Sequence, residues 1–448
     1  MTSRTLPRGK VALALAALAA LALLAAACGA PPGPSGWAGP QPVKVDAGQL
    51  VLVPHKSKLF ALPAGSTADT WRLPPQDKNS FGVGERGRGT LTDYVNSLDI
   101  PDAQKSNLTS QIARLTLSSD SANAIKSAMK NSDAADSDKN EFSSSVDAIV
   151  KFEKDALGKI QALYGDLGVS SDGKTVFVPA FKGYIFALDV KDGHTRWISN
   201  VGDDMVGGIA VDGDTIYYGT KGKAVYAADA STGDVRWKYG TKGEVWATPA
   251  VSGDSVYATS LDGSVYALDK SGNRKWIFSG ASSGIGSRPT VAEGNVYVGA
   301  FDNKLYSMKA SDGTMNWSFG ADNWFWASSV VSNGTVYAAS LDHKVYAIDA
   351  GSGQAKWQHP FEAGAPVRST PLLAGGELMV ATRNGDVFKL DLDSGAPQGE
   401  TVIAGTKIDA NLTGDGSNMV YVSPTSAILY VVDASGPLSG AETYPLPQ

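Results

Sequence analysis

One phrase recurs along this chain at an almost constant spacing, with an aromatic near its start and a tryptophan at its end. IFALDVKDGHTRW ends at Trp197, VYAADASTGDVRW at Trp237, VYALDKSGNRKW at Trp276, LYSMKASDGTMNW at Trp317 and VYAIDAGSGQAKW at Trp357. Weaker copies are LFALPAGSTADTW, ending at Trp71, and farther on VFKLDLDSG and LYVVDASG. The aromatic of each copy falls at Phe60, Phe186, Tyr226, Tyr266, Tyr306, Tyr346, Phe388 and Tyr430, in steps of 126, 40, 40, 40, 40, 42 and 42 residues. A fixed period of this length marks a repeat architecture, in which each unit is one supersecondary module.

Each unit has the same inner grammar. In TPAVSGDSVYATSLDGSVYALDKSGNRKWIF (248–278), short apolar runs rich in Val, Tyr and Thr alternate with Ser-Gly-Asp, Asp-Gly and Ser-Gly-Asn turns. That pattern predicts four short strands joined by tight hairpins. A lone four-stranded sheet leaves both faces wet, so it must stack on copies of itself. Stacking around an axis predicts an all-β fold, an eight-bladed β-propeller of four-stranded blades. The closing Trp is expected to wedge between neighbouring blades, burying its ring and giving its N–H a backbone partner.

The first step is 86 residues too long, and the surplus lies between Trp71 and Tyr164. From Leu91 to Leu163 the composition turns to Ala, Ser, Lys and Asp, with a single proline. Leu108, Ile112 and Leu115, then Ala122, Ile125 and Met129, then Phe142, Val146, Ile149, Leu157, Ile160 and Tyr164 follow helical spacing. Pro101 and Asp102 suit a helix start, and Ser132–Asp138 suits a turn. The prediction is a small α-helical insertion after the first blade, added between repeats and separable from them.

Ahead of the repeats, Arg4, Arg8 and Lys10 precede an apolar run from Val11 to Ala27, the layout of a secretory leader. Leu24-Ala25-Ala26-Ala27-Cys28 resembles a bacterial lipobox with its Leu four residues before the Cys, which implies lipidation at Cys28. The stretch PPGPSGWAGPQP cannot hold a helix and reads as an extended tether. The expected organisation is a leader at 1–27, a lipidated Cys and tether at 28–42, blade 1 at 43–73, the helical insertion at 74–163, and blades 2–8 at 164–448. This places the chain outside the cytoplasm, lipid-anchored to a bacterial cell membrane or outer membrane. A monomer is expected.

Several chemistries are excluded or left without support. The net charge of -6 and the lack of a basic run argue against nucleic acid. Cys28 is the only cysteine, so no disulfide framework or thiolate metal cluster is available. The four histidines, His55, His194, His343 and His359, show no metal-ligand spacing. No nucleophile elbow, phosphate loop or His-Glu pair occurs, so no catalytic residue and no metal site is assigned. Asp262, Asp302 and Asp342 sit in hairpin turns, where Asp stabilises the turn itself.

The phrases YALD…G…W and the following P-x-V-x-x-G-x-V-Y resemble the quinoprotein-type (PQQ-like) propeller repeat, over about residues 39–72 and 164–436. The repeat occurs in pyrroloquinoline-quinone dehydrogenases and in non-enzymatic relatives, the BamB family of lipoprotein scaffolds in outer-membrane protein assembly. The first branch implies adjacent cysteines against the quinone and a carboxylate-amide set around calcium; with Cys28 alone that disulfide cannot form, and no cofactor is expected. The second branch implies a protein-binding scaffold with no enzymatic activity, whose partners are envelope or secreted proteins. A propeller oxidoreductase, or a small-molecule or sugar site at the axis, stands as the alternative.

Residues that break the repeat are the candidates for binding. Just before each innermost strand the aligned positions are Pro40, Tyr164, Val206, Trp246, Gly286, Trp326, Arg368 and Lys407. The hairpins carrying Lys221, Asp262, Asp302, Asp342 and Arg383 are expected on the same face. Trp246, Trp324 and Trp326 beside Arg288 and Arg368 make an aromatic-cationic mouth, a composition that suits a peptide or protein ligand. The same rings would equally serve as a plug for the funnel.

Overall fold

In the computed structural model, residues 38–447 are described apart from 47, 80, 403–405, 437 and 439. The leader, Cys28 and most of the tether therefore lie outside the described residues. Eight antiparallel sheets of four strands form a ring: Gln41–Leu73, Gly168–Asn200, Ala210–Gly240, Ala250–Phe278, Thr290–Gly320, Val330–Glu362, Leu372–Val402 and Thr413–Pro445, blades 1 to 8. The eight-bladed propeller read from the period is thus the fold, with blade 1 starting at Gln41 rather than residue 43. Every blade is built from consecutive strands, so the ring closes without an exchanged strand. The seam between blades 8 and 1 is an apolar contact that includes Val53, Phe60, Tyr421 and Leu429.

The recurring tryptophan is the fastener between blades. Trp71, Trp197, Trp237, Trp276, Trp317 and Trp357 donate Nε1–H to the backbone oxygens of Val190, Ala230, Lys270, Ala310, Ala350 and Leu392 in the next blade, at 2.8–3.0 Å. Each ring packs against a glycine of that blade's outer hairpin. A Cβ on Gly313, for example, would come within 2.5 Å of the Trp276 ring, and its φ of +73° also favours glycine. The Asp…Gly…Trp grammar is therefore one device read across two blades: the Gly of one unit receives the Trp of the unit before it.

Blade 7 has no tryptophan to give. There the Lys389 ammonium, 7% exposed, donates to the Ala434 oxygen at 2.8 Å and the Gly436 oxygen at 3.2 Å. Ala434 follows its hairpin Asp as Ala230 and Leu392 follow theirs, so a buried lysine serves the carbonyl that a tryptophan serves elsewhere.

Among the described residues four helices fill the insertion: α1 (Glu85–Ser97), α2 (Asp102–Ala113), α3 (Ser119–Lys130) and α4 (Asp136–Gly158). The predicted starts at Pro101–Asp102 and the 132–138 turn agree with the structure to within a few residues. Ile160 and Tyr164, counted on helical spacing, lie beyond the end of α4, and α1 begins ahead of Leu91. Separability is not what the packing shows. Leu91, Val95, Ile112, Phe142 and Val146 share one continuous core with Leu59 and Leu73 of blade 1 and Tyr184 and Ile198 of blade 2. The outermost strand of blade 2, Thr195–Asn200, is largely buried, whereas the corresponding strand of blade 3, Val235–Gly240, is mostly exposed.

Charge ties α1 to the ring. The Glu153 carboxylate of α4 is 5% exposed and accepts the Gly84 N–H with both oxygens, at 3.1 and 3.0 Å. His194, on the outer hairpin of blade 2, faces Asp192 with Nδ1 and Glu85 of α1 with Nε2, both at 2.6 Å. Among the described residues Asp189, Asp192 and His194 are the one group of three metal-capable side chains, and both ring nitrogens of His194 are already engaged there.

Candidate functional site at the propeller axis

Four residues ahead of the innermost strands of blades 2 to 8 stand Tyr164, Val206, Trp246, Gly286, Trp326, Arg368 and Asp409. Two ahead stand Gly39, Asp166, Gly208, Thr248, Arg288, Ser328, Thr370 and Asn411. The two rows, from blade 2 onward, line an axial cavity of about 90 Å³. The inner row closes the ring with its own side chains: Thr248 Oγ1 accepts the Gly208 N–H at 2.9 Å, and Asn411 Oδ1 accepts the Thr370 N–H at 2.9 Å while its amide donates to Asp166 at 3.3 Å.

Three hydrogen-bonded latches hold the loops that carry these rows. Tyr266, Tyr306 and Tyr346 donate their hydroxyls to Asp262, Asp302 and Asp342 at 2.7, 2.6 and 2.6 Å. The same carboxylates accept backbone N–H groups of the incoming connection, from Gly243 at 3.0 Å, Ser282 at 2.8 Å and Asp322 at 3.1 Å. Burial works against an ionised Asp262, but hydrogen bonds from Tyr266, Ser264 and Ser260 outweigh it and hold the carboxyl below its usual value. Burial and the bond to Asp262 push Tyr266 up to about 12. The turn aspartates thus do the structural work expected of them, with one refinement: they pin the site loops to the neighbouring hairpins.

The candidate mouth residues separate into a fixed wall and an open pair. Phe301 stacks between Trp324 and Trp326, with ring centroids 4.8 and 5.3 Å away, and the Arg368 guanidinium lies 4.3 Å from the Trp326 centroid. Asp409 completes this wall, bonded to Arg383 Nε at 2.7 Å and 3.7 Å from Arg368. Gly286 is what admits Phe301, since a Cβ there would sit 2.4 Å from its ring. Trp246 is half-buried and donates Nε1–H to Glu244 at 2.6 Å, with no aromatic or cationic partner among the described residues. Arg288 is exposed at the cavity and has no hydrogen bond or ion pair among the described residues.

Three expected positions change. Lys407 is exposed and outside the cavity lining; Asp409 occupies its place in the row. Lys407 stands 39 residues after Arg368 and Asp409 stands 41, and the step along the row varies from 40 to 42, so the strand start at Thr413 is what fixes the position. Pro40 likewise stands past the row, next to the strand start, and its oxygen accepts the Thr413 hydroxyl at 2.6 Å. Trp324 is not at the cavity but behind Phe301. Phe301 has no place in the sequence argument for the mouth; its one signal is the glycine at 286 between two tryptophan-bearing blades, a gap that a ring from elsewhere fills.

The repeat and the packing it serves match a known family. A profile described as "Outer membrane protein assembly factor BamB" matches residues 181–289 and 279–437. The chain belongs to this family. Among solved structures it is similar to BamB from Moraxella catarrhalis, at 22% identity and a TM-score of 0.53 over 60% of this chain and 81% of that one. A computationally designed protein, Ika8, shares the fold at 14% identity and a TM-score of 0.50, over 61% of this chain and 81% of that one. No curated protein matches. The repeat also resembles that of quinone-binding propellers, in which a quinone would have to sit over the axis. A 90 Å³ cavity is small beside the roughly 300–1,000 Å³ of ligand pockets, and Trp326 is already engaged by Phe301 and Arg368. These residues do not fit the group.

Proposed function

We propose that this chain is a lipoprotein scaffold of the bacterial envelope, anchored through Cys28, that receives other envelope proteins at the axial mouth around Trp246 and Arg288. The family description supports the setting, and the leader-like segment ending at Cys28 supports the anchor. Among the described residues no helix is long and apolar enough to cross a membrane. The observation that carries the reading is that Trp246 and Arg288 both line the cavity while standing outside the fixed wall of Phe301, Trp326, Arg368 and Asp409. Residues that only build blades repeat in every unit; the rows that hold these two do not.

The test places a photo-crosslinking side chain at Ser328, which lines the cavity, and compares wild type with Trp246→Ala in cells. Loss of a central aromatic anchor removes about 2 kcal/mol or more of binding, so adduct yield is expected to fall well over tenfold with an unchanged denaturant midpoint. Equal adduct yield from the variant would place binding elsewhere on the ring.

A further inference from the structure

One seam of the ring is built unlike the others. At six seams a tryptophan is the fastener, and between blades 7 and 8 Lys389 serves the equivalent carbonyl. Between blades 8 and 1 both halves of the device are missing. Glu442 pairs with Val431 as Trp276 pairs with Ala267, so an exposed carboxylate stands where a tryptophan would be given. On the receiving side, Thr67 stands three residues after Ala64, the place of Gly193, Gly233 and Gly313 in their hairpins. The hairpin's own glycine, Gly65, has nothing within 4 Å of a Cβ, so no ring packs on it.

These two blades are joined by the apolar contact of Val53, Phe60, Tyr421 and Leu429. Hydrogen bonds run from the Thr413 hydroxyl to the Pro40 oxygen at 2.6 Å and from the Tyr421 hydroxyl to Gln49 Oε1 at 3.3 Å. On the face away from the mouth, their inner hairpins part around an open cleft of about 500 Å³, lined by Lys44, Gly48 and Gln49 of blade 1 and Asp415 and Ser417 of blade 8. No strand crosses this seam, so parting the blades breaks no ladder. On its other side blade 1 is locked to blade 2 through the core they share with the insertion. Where units touch only their neighbours, the least fastened interface opens first.

The consequence falls at the mouth. Asp409 and Asn411 ride on the connection into blade 8, and Gly39 of blade 1 lies so close that a Cβ on it would stand 2.8 Å from the Asn411 oxygen. With the seam shut the axial cavity holds about 90 Å³, too little for a ligand pocket of roughly 300 Å³ or more. We infer that the ring opens between blades 8 and 1, and that this opening widens the axial cavity to admit a partner's side chain. The inference rests on the proposed binding role of the mouth and adds how the mouth is entered.

The experiment compares two equivalent leucines. Leu429 and Leu305 each stand one residue before the aromatic of their blade, 2% and 1% exposed, in the seams toward blade 1 and blade 6. Leu429→Cys and Leu305→Cys, made separately in the full-length chain, are exposed to a thiol reagent without denaturant. Labelling is read on the peptide that carries each new thiol, which keeps Cys28 apart. Leu429→Cys is expected to label on the order of a hundredfold faster, the ratio that one lost tryptophan fastener sets. Trp317→Ala should bring Leu305→Cys toward the same rate. Equal rates in the otherwise unchanged ring would mean that both sites open only by global unfolding, which overturns the inference. Glu442→Trp with Thr67→Gly supplies both missing halves; it should slow labelling of Leu429→Cys and lower the Ser328 adduct yield together. Slowed labelling with an unchanged yield would overturn the entry route while binding at the mouth stands. No adduct from the wild-type chain would sink the binding reading and the entry route with it.

Discussion

Changing Gly313 to alanine tests whether the recurring glycine exists for the tryptophan of the preceding blade. Two costs are separable. Gly313 sits at φ +73°, and an L-residue there costs about 1–2 kcal/mol in backbone strain alone. A Cβ would also stand 2.5 Å from the Trp276 ring, which is 7% exposed, tilted against Tyr257 at 5.8 Å and bonded to the Ala310 oxygen at 3.0 Å. Expelling that ring forfeits what a buried Trp contributes, about 3–5 kcal/mol by the cost of truncating one to alanine. Gly313→Ala alone is therefore expected to cost about 4 kcal/mol or more. In a Trp276→Ala background the same change should cost only the backbone strain, about 1–2 kcal/mol. Gly294 supplies the control: its φ is +76° with nothing within 4 Å of a Cβ, so Gly294→Ala should cost about 1–2 kcal/mol in either background. Urea midpoints of wild type, the three variants and the two controls give the coupling directly. An equal cost of Gly313→Ala with and without Trp276 would refute the two-blade fastener and leave turn geometry as the whole reason for the glycine.

Two further outcomes follow from buried charge. Burial pushes Glu153 from 4.5 up to about 7 against the Gly84 hydrogen bond and the Arg88 charge, so its contribution is full below pH 4.5 and is lost as pH rises to 7, about 3 kcal/mol over that window. Burial alone would lower His194, but its bonds to Glu85 and Asp192 outweigh it and raise the pKa, so this contribution is full below pH 6.5 and is lost at higher pH. Thermal midpoints should therefore fall from pH 5 to pH 8, with the lower part of the slope flattened in Glu153→Gln and the upper part in His194→Gln; unchanged slopes would sink the account of the α1 clamp. Lys389→Met removes both donors from the Ala434 and Gly436 oxygens and should cost about 1–3 kcal/mol by denaturant midpoint, against roughly 0.5 kcal/mol or less for Lys270→Met on the surface.

The number of blades, their four-strand composition and the tryptophan fasteners were legible in the chain because each depends on a contact that every unit makes in the same way. A period of 40 residues records such contacts once per blade, and Trp197, Trp237 or Trp357 could be assigned to packing by repetition alone. The helices of the insertion were legible for the same local reason, in the spacing of Phe142, Val146 and Leu157. What the tertiary structure decided lies in contacts between blades that differ from one another. Phe301 fills the space left at Gly286, Arg368 and Arg383 share Asp409, and Asn411 reaches Asp166 across 245 residues of chain. None of these pairs has a periodic signature, so the sequence leaves plug and binding site open for the row of unlike residues, most of which is wall, and points to Lys407 where Asp409 stands. The insertion looked like an appendage because its own sequence is self-consistently amphipathic. Only the folded ring shows that its apolar faces and those of blades 1 and 2 form one core. Periodicity reports what is common to all units, whereas a binding site on a repeat protein is made from what is not, and that is settled where distant side chains meet.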